Sequence, residues 1–215
     1  MDKISGNAKE ILEWSLCVVI AIVLALLVRT YVGTPTIVQH PSMYPTLESG
    51  QRLILNRLTI TLGNEIKRGD IVTFEAPSED IIVSSVADLH EPKAKYDNEP
   101  QNIFTKFTYY ALEINKKSYI KRVIATQGEH VKIQDGKVFI DGKELKEDYL
   151  QPSVVTTSLN GMFTDLVVPE GYVYLLGDNR MHSTDSRSFG CIPIDKIESK
   201  VLVRFWPLDK IGKVE

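Results

Sequence analysis

Cysteine is scarce in this chain: two in 215 residues, Cys17 and Cys191. Cys17 lies inside a long apolar run and Cys191 far along the chain, so a disulfide between them is not expected. No C-x-x-C pair and no His-Glu-x-x-His occurs, which removes the usual zinc patterns, and no metal is expected. Gly-x-Gly-x-x-Gly and Walker loops are also missing, so nothing calls for a nucleotide or another cofactor. Neither sign of charge dominates. Twenty-five Lys and Arg stand against 28 Asp and Glu, a net charge of −3, which gives no support to a nucleic-acid partner. No internal repeat and no helix-turn-helix pattern is visible. The remainder has a globular composition, 43% hydrophobic and 25% charged, and a length suited to one membrane segment plus one domain.

The longest hydrophobic run is "ILEWSLCVVIAIVLALLVRTYV", residues 11–32, with no charge from Trp14 to Val28. Its 22 residues would span roughly 33 Å as a helix, close to the ~30 Å of a bilayer's hydrocarbon core. Trp14 and Tyr31 stand near the two ends, where aromatic side chains favour the interface. A cleaved signal peptide is the alternative, but Arg29, Thr30 and Tyr31 follow the run in place of a small-x-small site. The expected organisation is a cytoplasmic tail at 1–10, a single transmembrane anchor at 11–32 and an extracytoplasmic domain at 33–215. Lys3, Lys9 and the terminal amine outweigh Asp2 and Glu10 only slightly, a weak positive-inside signal for that orientation.

After residue 50 the pattern becomes mainly β. "QRLILNR" (51–57), "DIVTFE" (70–75), "YIKRVIAT" (119–126), "GYVYLL" (171–176) and "SKVLVRFW" (199–206) read as strands. "HVKIQDGKVFIDGKEL" (130–145) holds Asp135-Gly136 and Asp141-Gly142, each a hairpin signal. Strands with tight turns and little helix predict an antiparallel sheet or barrel-like domain. A polar insertion, 77–118, interrupts the rhythm. Its stretch 90–102 reads as an exposed or mobile loop, and its "IFTKFTYYALEIN" fits either a helix or a strand.

Three stretches carry reactive or charged groups. In "HPSMYPTL" (40–47), Pro41 and Pro45 stiffen the chain around Ser42, although such a serine is ordinarily a turn residue and no Gly-x-Ser-x-Gly elbow surrounds it. In "SYIKRVIATQG" (118–128), Lys121 shares one strand face with Tyr119, Val123 and Ala125, while Arg122 falls on the other. Taken by itself, Lys121 is better explained as an edge-strand lysine that discourages aggregation. If buried instead, it loses protons more easily and serves as a general base. At the model value of about 10.4, only on the order of one lysine in two thousand is neutral at pH 7. In "LGDNRMHSTDSRSFG" (176–190), acids, arginines and hydroxyls crowd together, as either a solvated turn or a loop braced by bidentate pairs.

Taken in order, the anchor, "SMYPTL", "RGDIVTF" (68–74), "YIKRVI" and "GDNRMHSTDSR" (177–187) resemble type I signal peptidases, membrane-bound Ser/Lys endopeptidases, in their short Gram-positive form. The resemblance implies Ser42 as nucleophile and Lys121 as general base. It implies Ser183 as the hydroxyl orienting the amine, Asp185 and Arg187 as a structural pair, and Asp178 as their support. The Ser42 N–H would contribute to the oxyanion hole. It further implies secretory preproteins with small residues at the cut site as substrates, contact with membrane lipid, and a β-rich catalytic domain on the outer face of the cell membrane. The chain departs from the family's pattern at His40, where some members have an oxyanion serine, and at Pro41, Ala125, Glu129 and the long insertion. On this reading Arg122→Lys is expected to keep substantial activity. The alternatives are a Ser-His-Asp hydrolase using His40, His130 or His182, a self-cleaving repressor of the LexA type, and a catalytically impaired membrane-anchored module that binds signal peptides.

Overall fold

The computed structural model describes residues 2–78, 91–97, 100–158 and 163–214, with the backbone alone for residues 2–8. Helix α1 (Asp2–Leu27) takes in the polar residues before the apolar run as well as the run itself, and a π-helical turn, Val28–Val32, completes it. Residues Lys9–Val32 are long and apolar enough to cross a membrane, and none of that stretch is buried against the domain.

The domain that follows is built on eleven strands among the described residues. The larger sheet contains β1 (Gly33–Ile37), β2 (Arg52–Asn56), β3 (Ile71–Glu75), β4 (Ser118–Thr126), β9 (Tyr172–Leu176), β10 (Ile192–Pro193) and β11 (Ile197–Trp206). Their order is β1-β2-β11-β3-β4-β9-β10, and every pairing is antiparallel. A smaller sheet orders β7 (Lys143–Glu144), β6 (Lys137–Ile140), β5 (His130–Gln134) and β8 (Asp165–Val167), again antiparallel throughout. Mainly β, antiparallel and barrel-like is therefore the observed class. Both Asp-Gly pairs turn as expected, with positive φ at Asp135, Gly136, Asp141 and Gly142, as two-residue hairpins require.

Three strands went unread: β1, β8 and β10. "GTPTI" became β1 because of its pairing with β2, and its Gly33 is needed there: a Cβ would stand 2.3 Å from the Leu55 carbonyl oxygen. Three apolar clusters fill the interior. Val38, Met43, Leu47, Leu53, Leu55 and Ile71 form one beneath β1 and β2. Val72, Phe74, Val123, Leu175 and Ile197 form a second, and the small sheet closes a third over Ile124, Tyr174 and Leu176. β3 is buried along its whole length.

The insertion differs from its sequence reading. Residues 91–97 dock on the body: the Cys191 N–H donates to Pro92 O (2.7 Å), the Ala94 N–H to Cys191 O (2.9 Å), and the Tyr96 hydroxyl to Glu75 O (3.0 Å). Pro92, Ala94 and Tyr96 face the body between the charged Glu91, Lys93, Lys95 and Asp97, so this part is a docked segment where its polarity suggested an exposed or mobile loop. His90, Asn98 and Glu99 lie outside the described residues. "IFTKFTYY" is a helix, α3 (Ile103–Tyr110), opened by a capping box between Asn102 and Thr105. Two further single-turn helices are α2 (Leu58–Thr61) and α4 (Ser186–Phe189).

Candidate active site

Ser42 lies on a 3₁₀ turn, Pro41–Met43, directly after β1. Its neighbours Met43 and Leu47 are fully buried in the cluster beneath β1, so the serine is held by the apolar residues beside it as well as by its prolines. Lys121 arrives from the middle of the sheet, opposite Val72 on β3. The two elements bring Lys121 Nζ to 2.9 Å from Ser42 Oγ, although 79 residues separate them. The amine also lies 3.0 Å from the Ile120 carbonyl oxygen, to which it donates.

Burial decides the charge state of this lysine. Desolvation pushes its pKa down to about 8, against the carboxylates of Asp185 and Asp178, which favour the charged form, and with help from Arg187. About one amine in ten is then neutral at pH 7, and a neutral amine held next to a hydroxyl is a competent general base.

The loop after β9 completes the wall. The Asn179 N–H donates to Ser42 O (3.0 Å) and its side-chain amide donates to Pro41 O (3.1 Å), clamping the serine turn. Gly177 must lack a side chain, since a Cβ would stand 2.5 Å from Ser42 O and 2.2 Å from Ser183 Oγ. Ser183 therefore reaches the site, but its buried Oγ has no hydrogen-bond partner among the described residues. The bond to the lysine amine that the family resemblance implies is not made in this structure.

Asp185 and Arg187 form the expected pair. The guanidinium forks onto the carboxylate through Nε and Nη2, both at 2.8 Å, with both side chains fully buried. Asp185 also accepts from the Gly177 N–H (3.1 Å), and Arg187 donates to Arg180 O (2.8 Å) and Thr157 O (2.9 Å). Asp178, read from sequence as support for that pair, binds elsewhere. It receives a fork from Arg122, Nε at 2.9 Å and Nη2 at 2.8 Å, and the Thr46 hydroxyl at 2.5 Å. Arg122 does face away from Lys121, but it is no bystander: it stacks 3.8 Å from the centroid of the Tyr149 ring and ties β4 to the loop that holds Ser42. The expectation that Arg122→Lys is well tolerated is corrected by this fork, which an ammonium cannot reproduce.

Sequence reasoning missed a second buried guanidinium. Arg180 pairs with Glu147 and donates to Thr156 Oγ1 (2.6 Å) and Gly177 O (3.0 Å). Arg180 was visible in its dense loop; Glu147, 33 residues away behind a hairpin, carried no signal. Among the described residues, no histidine is hydrogen-bonded to Ser42. His40 and His182 are exposed at the rim, His130 pairs with Asp165 in the small sheet, and arginines occupy the carboxylates of Asp178 and Asp185. Neither Asp178 nor Asp185 is therefore left free to orient a histidine. No cluster of acids, histidines or cysteines suited to a metal exists among the described residues.

Ser42 and Lys121 stand in an open groove of about 920 Å³ between β1, the edge of the large sheet, and the first residues of β4. Its walls include Thr34, Thr36, His40, Ile120 and Glu113.

The family model for signal peptidases, peptidase S26, matches residues 11–206. Signal peptidase I T of Bacillus subtilis (strain 168) is 33% identical over 210 residues, which cover 95% of this chain and 90% of the relative. Signal peptidase IB of Staphylococcus aureus (strain COL) is 30% identical, covering 94% and 93%. The crystal structure of a signal peptidase I from Enterococcus faecalis aligns with 64% of this chain and 97% of its own, at 25% identity and a TM-score of 0.40. The serine turn, the buried lysine and the braced loop thus sit within a chain that belongs to the peptidase S26 family of signal peptidases.

Proposed function

We propose that this chain is a membrane-anchored serine endopeptidase that removes signal peptides from secreted preproteins with Ser42 and Lys121 as its dyad. The 2.9 Å approach of a buried, pKa-lowered amine to a serine hydroxyl carries the reading. Neutral Lys121 takes the proton of Ser42 Oγ–H as the oxygen attacks the scissile carbonyl carbon. The resulting ammonium returns that proton to the departing amine, the peptide C–N bond breaks, and an ester on Ser42 remains. Water then attacks the ester, with Lys121 again as base, and releases the cleaved signal peptide.

The Ser42 N–H would be one donor to the developing oxyanion, and the second is either the imidazole N–H of His40, which lines the groove, or absent. Ser183 is assigned to orient the amine, because a buried hydroxyl without a partner is otherwise a cost without a return. Asp178, Asp185 and Arg187 position the loop. A substrate strand would add to the edge of β1, and shallow apolar walls would favour small residues at the cut. The apolar helix α1 would hold the groove at the level where such a substrate leaves the bilayer, with the N-terminus cytoplasmic and the domain outside.

The test is a preprotein with an Ala-x-Ala site, reconstituted with the full chain in lipid vesicles. Cleavage should occur at that site and vanish with Ser42→Ala. Binding without cleavage by the unaltered chain would instead favour a signal-peptide-binding module.

A further inference from the structure

Helix α3 presents its apolar side away from the body. Ile103, Phe104, Phe107 and Tyr110 fall on one face at helical spacing, and the first three are 88%, 71% and 50% exposed. The opposite side docks, with the Tyr109 hydroxyl on Glu75 (3.1 Å). A globular helix normally turns its apolar stripe inward. Eight residues are too few to be stable alone in water, and large exposed apolar patches mark contact surfaces.

The position of α3 says what the surface meets. Three residues beyond the helix, Glu113 pairs with Arg29 at 2.8 Å, in the turn that ends the membrane-length helix, and with Arg57. Burial works to raise the pKa of Glu113, but the two guanidiniums win and hold it below the usual carboxylate range, so the link stays ionic. The same exit is lined by α2, whose start is tied there by the Arg57 N–H donating to Val32 O (3.0 Å). Leu58 and Leu62, at the two ends of α2, are exposed as well. Lys106, on α3 itself, and Lys117, seven residues after its end, are exposed positive charges.

We propose that the apolar face of α3 lies in the lipid interface beside the exit of α1, as a second and shallow membrane contact formed by the insertion. The proposal rests on reading α1 as a membrane anchor. Its occupant is an anionic bilayer surface: apolar side chains enter the acyl boundary while Lys106 and Lys117 meet headgroups. Because Glu113 also lines the groove, this contact would fix the height and tilt of the groove wall relative to the membrane.

The test uses the full chain in nanodiscs of phosphatidylcholine and phosphatidylglycerol. Cys17→Ser removes one thiol, and Cys191 is buried with its thiol pKa pushed up to about 12, so it resists labelling. A bimane fluorophore is then placed in turn through Phe104→Cys, Phe107→Cys, Val23→Cys and Lys143→Cys. Nitroxide-bearing lipids should quench the labels at 23, 104 and 107, and aqueous iodide the label at 143. Quenching at 104 and 107 by iodide, with the label at 23 still quenched by lipid, would overturn the proposal and leave the anchor intact. No quenching at 104 and 107 by either agent would mean that protein covers the face, which also overturns it. A label at 23 that lipid does not quench would remove the anchor reading itself, and with it the inference.

Discussion

Lys121 and Arg122 are successive residues of β4, each 3% exposed, yet the two sides of the strand treat a cation in opposite ways. On the Lys121 side the nearest polar groups are a hydroxyl and a carbonyl, neither of them charged. Its carboxylate neighbours, Asp178 and Asp185, act only through space, and burial outweighs them. On the Arg122 side a carboxylate is forked, the Gly69 carbonyl accepts a further bond at 3.1 Å, and an aromatic ring covers the guanidinium face. Equal burial therefore lowers the pKa of the amine on one face and leaves a paired brace on the other. The difference lies in whether the carboxylate touches the cation.

The largest effect should come from breaking the Lys121 side. Lys121→Arg keeps the positive charge but supplies a group that stays protonated. Cleavage of a preprotein should fall by roughly 10²–10⁴-fold or more, the range lost with a general base. In the unaltered enzyme the rate should climb with pH toward a plateau above about 8, since only the neutral amine accepts the serine proton. Near wild-type turnover by Lys121→Arg would end the assignment of this residue as the base.

The braces should respond in stability first. Asp185→Ala strands the Arg187 guanidinium in a fully buried site, and losing one partner of a buried pair costs about 3–5 kcal/mol. Arg122→Lys keeps a charge near Asp178 but gives up the fork and the stacking on Tyr149, so a smaller loss, about 1–3 kcal/mol, is expected. Both should lower the melting temperature together with activity. A fall in activity at unchanged melting temperature would move either residue from bracing into the chemistry.

Which of these relations were legible in the sequence follows from their reach. Long alternating runs and Asp-Gly turns showed the strands, because period and turn chemistry are local. β8 and β10 are short, and β1, with Gly33 and Pro35 in it, owes its state to its partner β2. Asp185 and Arg187 are two residues apart, so their pairing could be inferred within one loop. The Arg122–Asp178 and Arg180–Glu147 pairs join segments 56 and 33 residues apart, and nothing near either cation marks its partner. Ser42 and Lys121 are further apart still. They were found only because an ordered set of motifs resembles a family, not because spacing predicts that they meet. The docked residues 91–97 misled because polarity reports solvation, whereas here backbone bonds to Cys191 decide the path.

The sharpest comparison of the two faces is one whose effect should differ in sign between them. Replacing Lys121 with methionine removes an amine whose charged form is penalised by burial, and methionine fills the space without a charge. The lysine's pKa is lower folded, about 8, than its ordinary value of 10.5. Between those values the unfolded chain binds more protons, so this group's contribution to stability improves as pH rises from about 8 to 10.5, and its cost is fully present below 8. Lys121→Met should therefore be more stable than the parent at pH 7, by up to about 3 kcal/mol, and the gain should shrink toward pH 10. Comparing melting temperatures of the two proteins at each pH cancels every other titration they share. Arg122→Met should destabilise at both pH values, because it leaves the Asp178 carboxylate buried and unpaired. If Lys121→Met is destabilising at pH 7 by as much as Arg122→Met, then Lys121 is a structural cation like its neighbour, and the contrast between the two faces of β4 fails.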